Sequence, residues 1–282
     1  MEDFAASLAA WARPRDDIEA LVLIGSRQRS AGDGLKGADR HSDWDFHIIA
    51  RIPGRFADRE WLREIPGAEP LAYSVRRAAI GGVPRVTALF RGAEVDLVIV
   101  PAEGLGSVAE AAKAGQHLSS PQVRQSCQDL AVVIRPGWRF LKPNPKWEAW
   151  YAEVVNLVPD PRLGDAEVID LAEAFVCHWV WARRKAARGE WRAAQRALHR
   201  ELAETNYRLL HEIKLRAGQP SFPEARRIER VASEEELGAV SVDGGWRESE
   251  LQDSLARTAY GFRTLVAKLV GERWRWPALD EG

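Results

Sequence analysis

The sequence predicts an α+β fold: an α/β half with at least four strands, followed by an all-helical half. Two observations carry this. Short apolar runs alternate with polar, glycine-bearing turns through the first half, which is the signature of strands. Beyond Lys142-Pro-Asn-Pro145, apolar residues instead recur three and four positions apart, the period of a helix. The change in pattern at this proline-rich stretch places the expected domain boundary there, with residues 1–142 forming one domain and 143–282 the other.

The elements follow in order. Phe4, Leu8 and Trp11 share a helical face that Pro14 closes. Ala20-Leu-Val-Leu-Ile24 is a continuous apolar run ending at Gly25, the pattern of a strand buried on both faces. A polar, glycine-rich loop spans 27–42, and a second strand is expected over 44–50. A short helix is expected over 56–65. Strands are expected over 71–80 and 85–90, turned by Gly81-Gly82, then over 94–100, with a further edge strand over 131–134. The second half predicts helices over 166–188, 191–217, 224–240 and 248–273. Gly189, Gly218 with Pro220, and Gly244-Gly245 mark the breaks between them.

Composition narrows the function. The chain has 282 residues, 46% hydrophobic and 29% charged, as expected of a folded rather than disordered protein. Its formal net charge of −1 provides no global field to gather a long nucleic acid, so a compact charged substrate fits better. Cys127 and Cys177 are too far apart in sequence and context to suggest a disulfide framework or a zinc site. Cys177, in an apolar helical run, is expected to be a buried free thiol. The N-terminal residues lack a signal-peptide pattern and no run reaches the length of a membrane span. A cytoplasmic protein is therefore expected. Its twelve tryptophans are expected to thicken cores and pocket walls.

Three pieces of the first half carry chemistry: Gly25-Ser26 at a strand end, Asp43-Trp44-Asp45 at the next strand start, and Asp96 within Val95-Asp-Leu-Val-Ile-Val100. Strand side chains alternate, so Asp43 and Asp45 face the same way. Two adjacent carboxylates repel unless a cation lies between them. An unpaired Asp96 inside an apolar strand would be heavily penalised by desolvation. Setting Asp96 on a strand beside Asp45 resolves both problems. Three carboxylates then converge on hard cations, for which magnesium is suited. Two such ions roughly 3.5–4 Å apart can clamp the attacking and leaving oxygens of an in-line phosphoryl displacement. Gly25 permits a sharp turn and close approach of a phosphate. Ser26 offers a hydroxyl and an N–H, and Arg27 a charge-assisted bond. His47 shares the face of Asp43 and Asp45, where a buried, hydrogen-bonded ring is expected.

The series Leu23-Ile-Gly-Ser-Arg27, Ser42-Asp-Trp-Asp-Phe46 and Glu94-Val-Asp-Leu97 resembles the nucleotidyltransferase superfamily of the polymerase-beta type. Within it, the likeness is strongest to aminoglycoside 6-adenylyltransferases. The resemblance covers residues 20–100 and, loosely, the region around Glu173 to Trp191. It implies a nucleotidyltransferase-like mixed β-sheet with flanking helices, followed by a helical-bundle domain that binds substrate. It also implies ATP as donor, Mg2+, and transfer of AMP to an acceptor hydroxyl with release of pyrophosphate. Asp43, Asp45 and Asp96 would hold the metal, and Gly25 and Ser26 the triphosphate. The sixteen residues between Ser26 and Asp43 make a longer loop than the family pattern. Lys36, Arg40 and His41 in that loop are expected to shape the acceptor pocket.

The acceptor is expected to be a small hydroxylated molecule. A polycationic aminoglycoside would call for carboxylates and aromatic walls. Glu173, near Phe175, Trp179 and Trp181, is the candidate catalytic carboxylate of the helical half, as base on the acceptor hydroxyl. The arginines around Arg183-Arg184 and Arg188 argue against a polycation. Two other readings stay open: AMP transfer to a protein side chain, and a non-catalytic nucleotide-binding protein.

Overall fold

In the computed structural model, residues 4–28, 37–39, 41–77, 82–222, 224–242 and 247–279 are described. The chain divides into two compact units, Met1–Pro161 and Arg162–Gly282.

The first unit is built on a six-stranded mixed sheet. Its strands are β1 (Ile18–Ile24), β2 (Trp44–Ala50), β3 (Pro70–Arg77), β4 (Pro84–Phe90), β5 (Ala93–Pro101) and β6 (Arg139–Lys142), in the order β3-β4-β5-β2-β1-β6. All neighbours are antiparallel except β2 and β5, which run parallel. The chain therefore leaves β2, forms the β3–β4 hairpin, and returns as β5 beside β2. Central strands buried on both faces read as near-continuous apolar runs, which is why β1, β2 and β5 were legible. On one face, Phe4 and Leu8 of helix α1 (Phe4–Ala12) pack with Leu21, Leu23, Phe46, Ile48 and Leu97. On the other, α2 (Ala102–Lys113), α3 (Pro121–Ile134) and α4 (Pro145–Leu157) cover Ala20, Val22, Ile24 and Ile49.

Two sequence expectations are overturned here. Residues 131–134 form the end of α3, not an edge strand. Ser120 caps that helix by accepting from the Val123 N–H, Pro121 occupies its first turn, and Cys127, Ala131 and Ile134 make its buried stripe. The edge strand is β6 instead. Residues 56–65 form two short 3-10 turns, Pro53–Phe56 and Glu60–Glu64, rather than one helix. The first compact unit also runs past residue 142. The Asn144 side chain caps α4, whose Trp147, Trp150 and Tyr151 are wholly buried in that unit's core.

The second unit is helical: α5 (Asp165–Ala187), α6 (Trp191–Ala197), a π-helical turn Leu198–Ala203, α7 (Glu204–Arg216), α8 (Ile228–Val231), α9 (Glu234–Val240) and α10 (Glu248–Val270). Phe175 of α5 stacks on Phe262 of α10 with ring centroids 3.7 Å apart. Buried Asn206 bridges helices by donating to the carbonyls of Ala239 and Thr258 at 3.2 and 3.1 Å. The single helix expected over 224–240 is split because Ser233 caps α9, with its hydroxyl on the Glu236 N–H and Glu236 returning to the Ser233 N–H. The expected Gly244-Gly245 break lies outside the described residues, as does Gly81 of the expected hairpin turn. Cys127 is buried, but Cys177 is exposed, contrary to expectation. The buried face of α5 follows Val168, Ala172, Phe175 and Val176, which leaves position 177 outside it. Among the described residues no helix is long and apolar enough to cross a membrane.

Candidate active site

The register of the sheet assembles the acidic residues. Ile24, Asp45, Asp96, Thr87 and Ser74 form one row across β1, β2, β5, β4 and β3. Side chains in one row of a sheet share a face, so Asp45 and Asp96 stand side by side, and Asp43 lies two residues before Asp45 on the same side. One carboxylate oxygen from each of Asp43, Asp45 and Asp96 lies within 4.8 Å of the others. Asp96 is buried, while Asp43 and Asp45 are half-buried and open the cluster to solvent. An all-oxygen donor set of this charge fits a hard divalent cation.

Gly25 turns the chain out of β1 with φ +75°, a conformation that favours glycine. A Cβ at this position would overlap the Asp45 carboxylate, so the turn and the carboxylate fit against each other only without a side chain. Ser26 follows in a single 3-10 turn, and its Oγ is buried without a hydrogen-bond partner among the described residues. A buried hydroxyl left unsatisfied is uncommon and points to a group that the site receives.

Arg27 joins the two halves of the site. Its Nε donates to the Asp43 carbonyl at 2.9 Å and its Nη2 to the Ser42 carbonyl at 2.5 Å. The guanidinium also lies 4.0 Å from the centroid of the Trp44 ring. Arg27 thus fixes the backbone that carries Asp43, a contact that the sequence did not suggest. His41 lies among the described residues, whereas Lys36 and Arg40 of the long loop do not.

Two further residues, not singled out from sequence, meet the cluster from β4. Thr87 Oγ1 donates to Asp96 Oδ1, and Arg85 Nη2 forms an ion pair with Asp96 Oδ2. The bond to Asp96, with the added charges of Asp45 and Asp43, raises the Arg85 pKa above its ordinary value. The alternation Arg85-Val-Thr-Ala88 was visible in the sequence. Which face it turned to the acids depended on the strand register.

Below the acids, His47 is buried and its Nδ1 lies 2.8 Å from the Tyr151 hydroxyl. Desolvation lowers the His47 pKa to about 4 and raises that of Tyr151, so both are neutral near pH 7. His47 is therefore a buried, hydrogen-bonded ring, as expected.

Glu173 lies in the helical unit, exposed on α5, where its Oε1 accepts from Trp274 Nε1 at 2.6 Å. Its expected aromatic neighbours divide by role. Phe175 is core, Trp179 donates to the Leu255 carbonyl at 3.0 Å, and Trp181 is exposed.

No protein-family model matches the chain, and no curated protein matches it. Among solved structures, it is similar to an aminoglycoside 6-adenyltransferase from Bacillus subtilis. That likeness has 15% identity over 98% of this chain and 92% of that one, with a TM-score of 0.38. It is also similar to a nucleotidyltransferase-like protein from Exiguobacterium sibiricum 255-15, with 11% identity over 96% and 77% of the two chains and a TM-score of 0.35. Likenesses this loose leave the chemistry to the residues of the site itself.

Proposed function

We propose that the chain is a metal-dependent nucleotidyltransferase that transfers AMP from ATP to a hydroxyl of a small molecule. The observation that carries this reading is the convergence of Asp43, Asp45 and Asp96 beside the Gly25-Ser26 turn. Three carboxylates, a side-chain-free turn and an unsatisfied buried hydroxyl together suit a nucleoside triphosphate chelated to a divalent cation.

In the proposed reaction, Asp43, Asp45 and Asp96 hold Mg2+. When bound, the metal offsets the charge that develops on the phosphoryl oxygens. Gly25 lets the polyphosphate approach the backbone, and Ser26 Oγ supplies a donor to a phosphate oxygen. Arg27 keeps Asp43 in position through the backbone carbonyls. The acceptor oxygen attacks the α-phosphorus, the bond to the α–β bridging oxygen breaks, and pyrophosphate leaves. The acceptor proton passes to a carboxylate base. Glu173, oriented by Trp274, is our candidate for that base, and an aminoglycoside-like polyol is the acceptor class to examine first. We expect the reaction in the cytoplasm, where ATP and Mg2+ are plentiful.

Pyrophosphate release from ATP and Mg2+, measured across a panel of hydroxylated acceptors, tests the reading. Activity with at least one acceptor is expected, and Asp45→Asn and Asp96→Asn should each abolish it. Full activity in both variants would overturn the proposal. A labelled protein band after incubation of labelled ATP with a lysate, without small-molecule turnover, would move the acceptor to a protein side chain.

A further inference from the structure

We infer that Arg85 is a movable counter-cation of the acidic cluster, which yields Asp96 to a divalent ion and passes to the polyphosphate of the nucleotide. The inference rests on the nucleotidyltransferase reading above and concerns how that site is loaded.

Both oxygens of Asp96 are already engaged by the protein: Oδ1 by the Thr87 hydroxyl and Oδ2 by the Arg85 guanidinium. A threonine hydroxyl is neutral and can remain beside a coordinated carboxylate. A guanidinium cannot share the Asp96 oxygen with a divalent cation at comparable cost, because the two positive charges would lie within a few ångströms of each other. Binding of the ion therefore competes with Arg85.

The geometry makes Arg85 the partner that moves. The Asp96 side chain is 7% exposed and sits in the middle of β5, whereas the Arg85 side chain is 32% exposed. Arg85 Nε is also buried without a hydrogen-bond partner among the described residues, so the fork is only partly satisfied where it stands.

The destination follows from the strand register. Arg76 of β3 is the partner of Arg85 across the β3–β4 pair. Directly opposed residues share a face, so two guanidinium-bearing side chains adjoin one another on the side that carries the acids. Like charges opposite one another are unfavourable unless an anion lies between them. A polyphosphate is the anion that this site would receive, and the planar fork of arginine matches its oxygens.

The test uses the full chain, with Mn2+ as the metal probe and α,β-methylene-ATP as the nucleotide, both followed by calorimetry. Relative to wild type, Arg85→Gln is expected to bind Mn2+ alone several-fold more tightly. In the presence of Mn2+ it should bind the analogue about tenfold more weakly, the effect of one lost charge-assisted hydrogen bond. These opposite signs distinguish exchange from simple damage to the site. Unchanged or weaker Mn2+ binding in Arg85→Gln, with Asp45→Asn still abolishing wild-type binding, would overturn the exchange while leaving the nucleotidyltransferase reading intact. If neither wild type nor Arg85→Gln binds Mn2+ with or without the analogue, both readings fall. If Arg85→Gln does not fold by circular dichroism, Arg85→Lys takes its place. It keeps the charge without the fork, so wild-type Mn2+ affinity and weaker analogue binding are expected. Wild-type affinity for the analogue would then overturn the inference.

Discussion

Gly25 and Asp45 are fitted to each other: a Cβ on the glycine would lie 2.9 Å from Cγ of the aspartate. The positive φ of Gly25 adds a backbone preference to this steric one. The Gly25→Ala substitution should therefore displace the Asp45 carboxylate without emptying the core. Displacement of a catalytic group by about 1 Å can cost on the order of 10²-fold in rate. A loss of that size in acceptor-dependent pyrophosphate release is expected, with a thermal midpoint lowered by a few degrees because alanine is strained at positive φ. Activity within twofold of wild type would remove Gly25 from the site.

Arg27 supports Asp43 from behind. In Arg27→Met the aliphatic stem can still cover Trp44, but the bonds to the carbonyls of Ser42 and Asp43 are lost. Hydrogen bonds to a charged group contribute about 1.5–3 kcal/mol, so a stability loss at the lower end of that range is expected for this partly exposed pair. Urea unfolding gives the stability, and Mn2+ calorimetry should show weaker binding than in wild type. Unaltered Mn2+ affinity would mean that Asp43 needs no such support.

Buried His47 makes stability depend on pH. Its folded pKa, lowered by burial to about 4, lies below the ordinary value near 6.5. Between these values the unfolded chain binds the proton and the folded chain does not. Stability is fully present above about pH 6.5 and declines as pH falls toward about 4. From pH 7 to 5 this amounts to about 2 kcal/mol. Comparison of urea unfolding at the two pH values in wild type and His47→Gln checks it, since the variant should lose less on acidification. Equal losses would show that His47 is not the titrating group.

In the helical unit, Glu212 is an internal tie rather than a pocket carboxylate. Arg162 approaches it with Nη2 at 2.8 Å, Arg216 with Nε at 3.0 Å, and the Leu163 N–H at 3.1 Å. Burial opposes the charge, but these donors hold the Glu212 pKa below its ordinary value. Glu212→Gln should lower stability by roughly 2–3 kcal/mol, because charged donors lose their partner. It should leave the KM for ATP near that of wild type. A raised KM for ATP with unchanged stability would contradict a structural role.

The sequence by itself determined the strands that carry Gly25, Asp45 and Asp96, because burial on both faces writes them as continuous apolar runs. It also singled out the three aspartates, since acids at those positions are costly without a common cation. It did not determine α3, whose apolar Ala131–Ile134 run fits either a strand or a helix until the Ser120 cap and the stripe from Cys127 settle it. Nor did it separate the exposed face of α5 at Cys177 from the buried one.

Only the tertiary structure decided which residues meet the acids. Thr87 and Arg85 reach Asp96 through the β4–β5 register, and Tyr151 reaches His47 from a helix more than a hundred residues along the chain. Arg27 likewise turned out to hold the backbone at 42 and 43, a choice that depends on where the long loop returns. Local pattern fixes which face of a strand is apolar. Pairing between distant segments fixes what stands beside each polar group, and that information exists only once the sheet has closed.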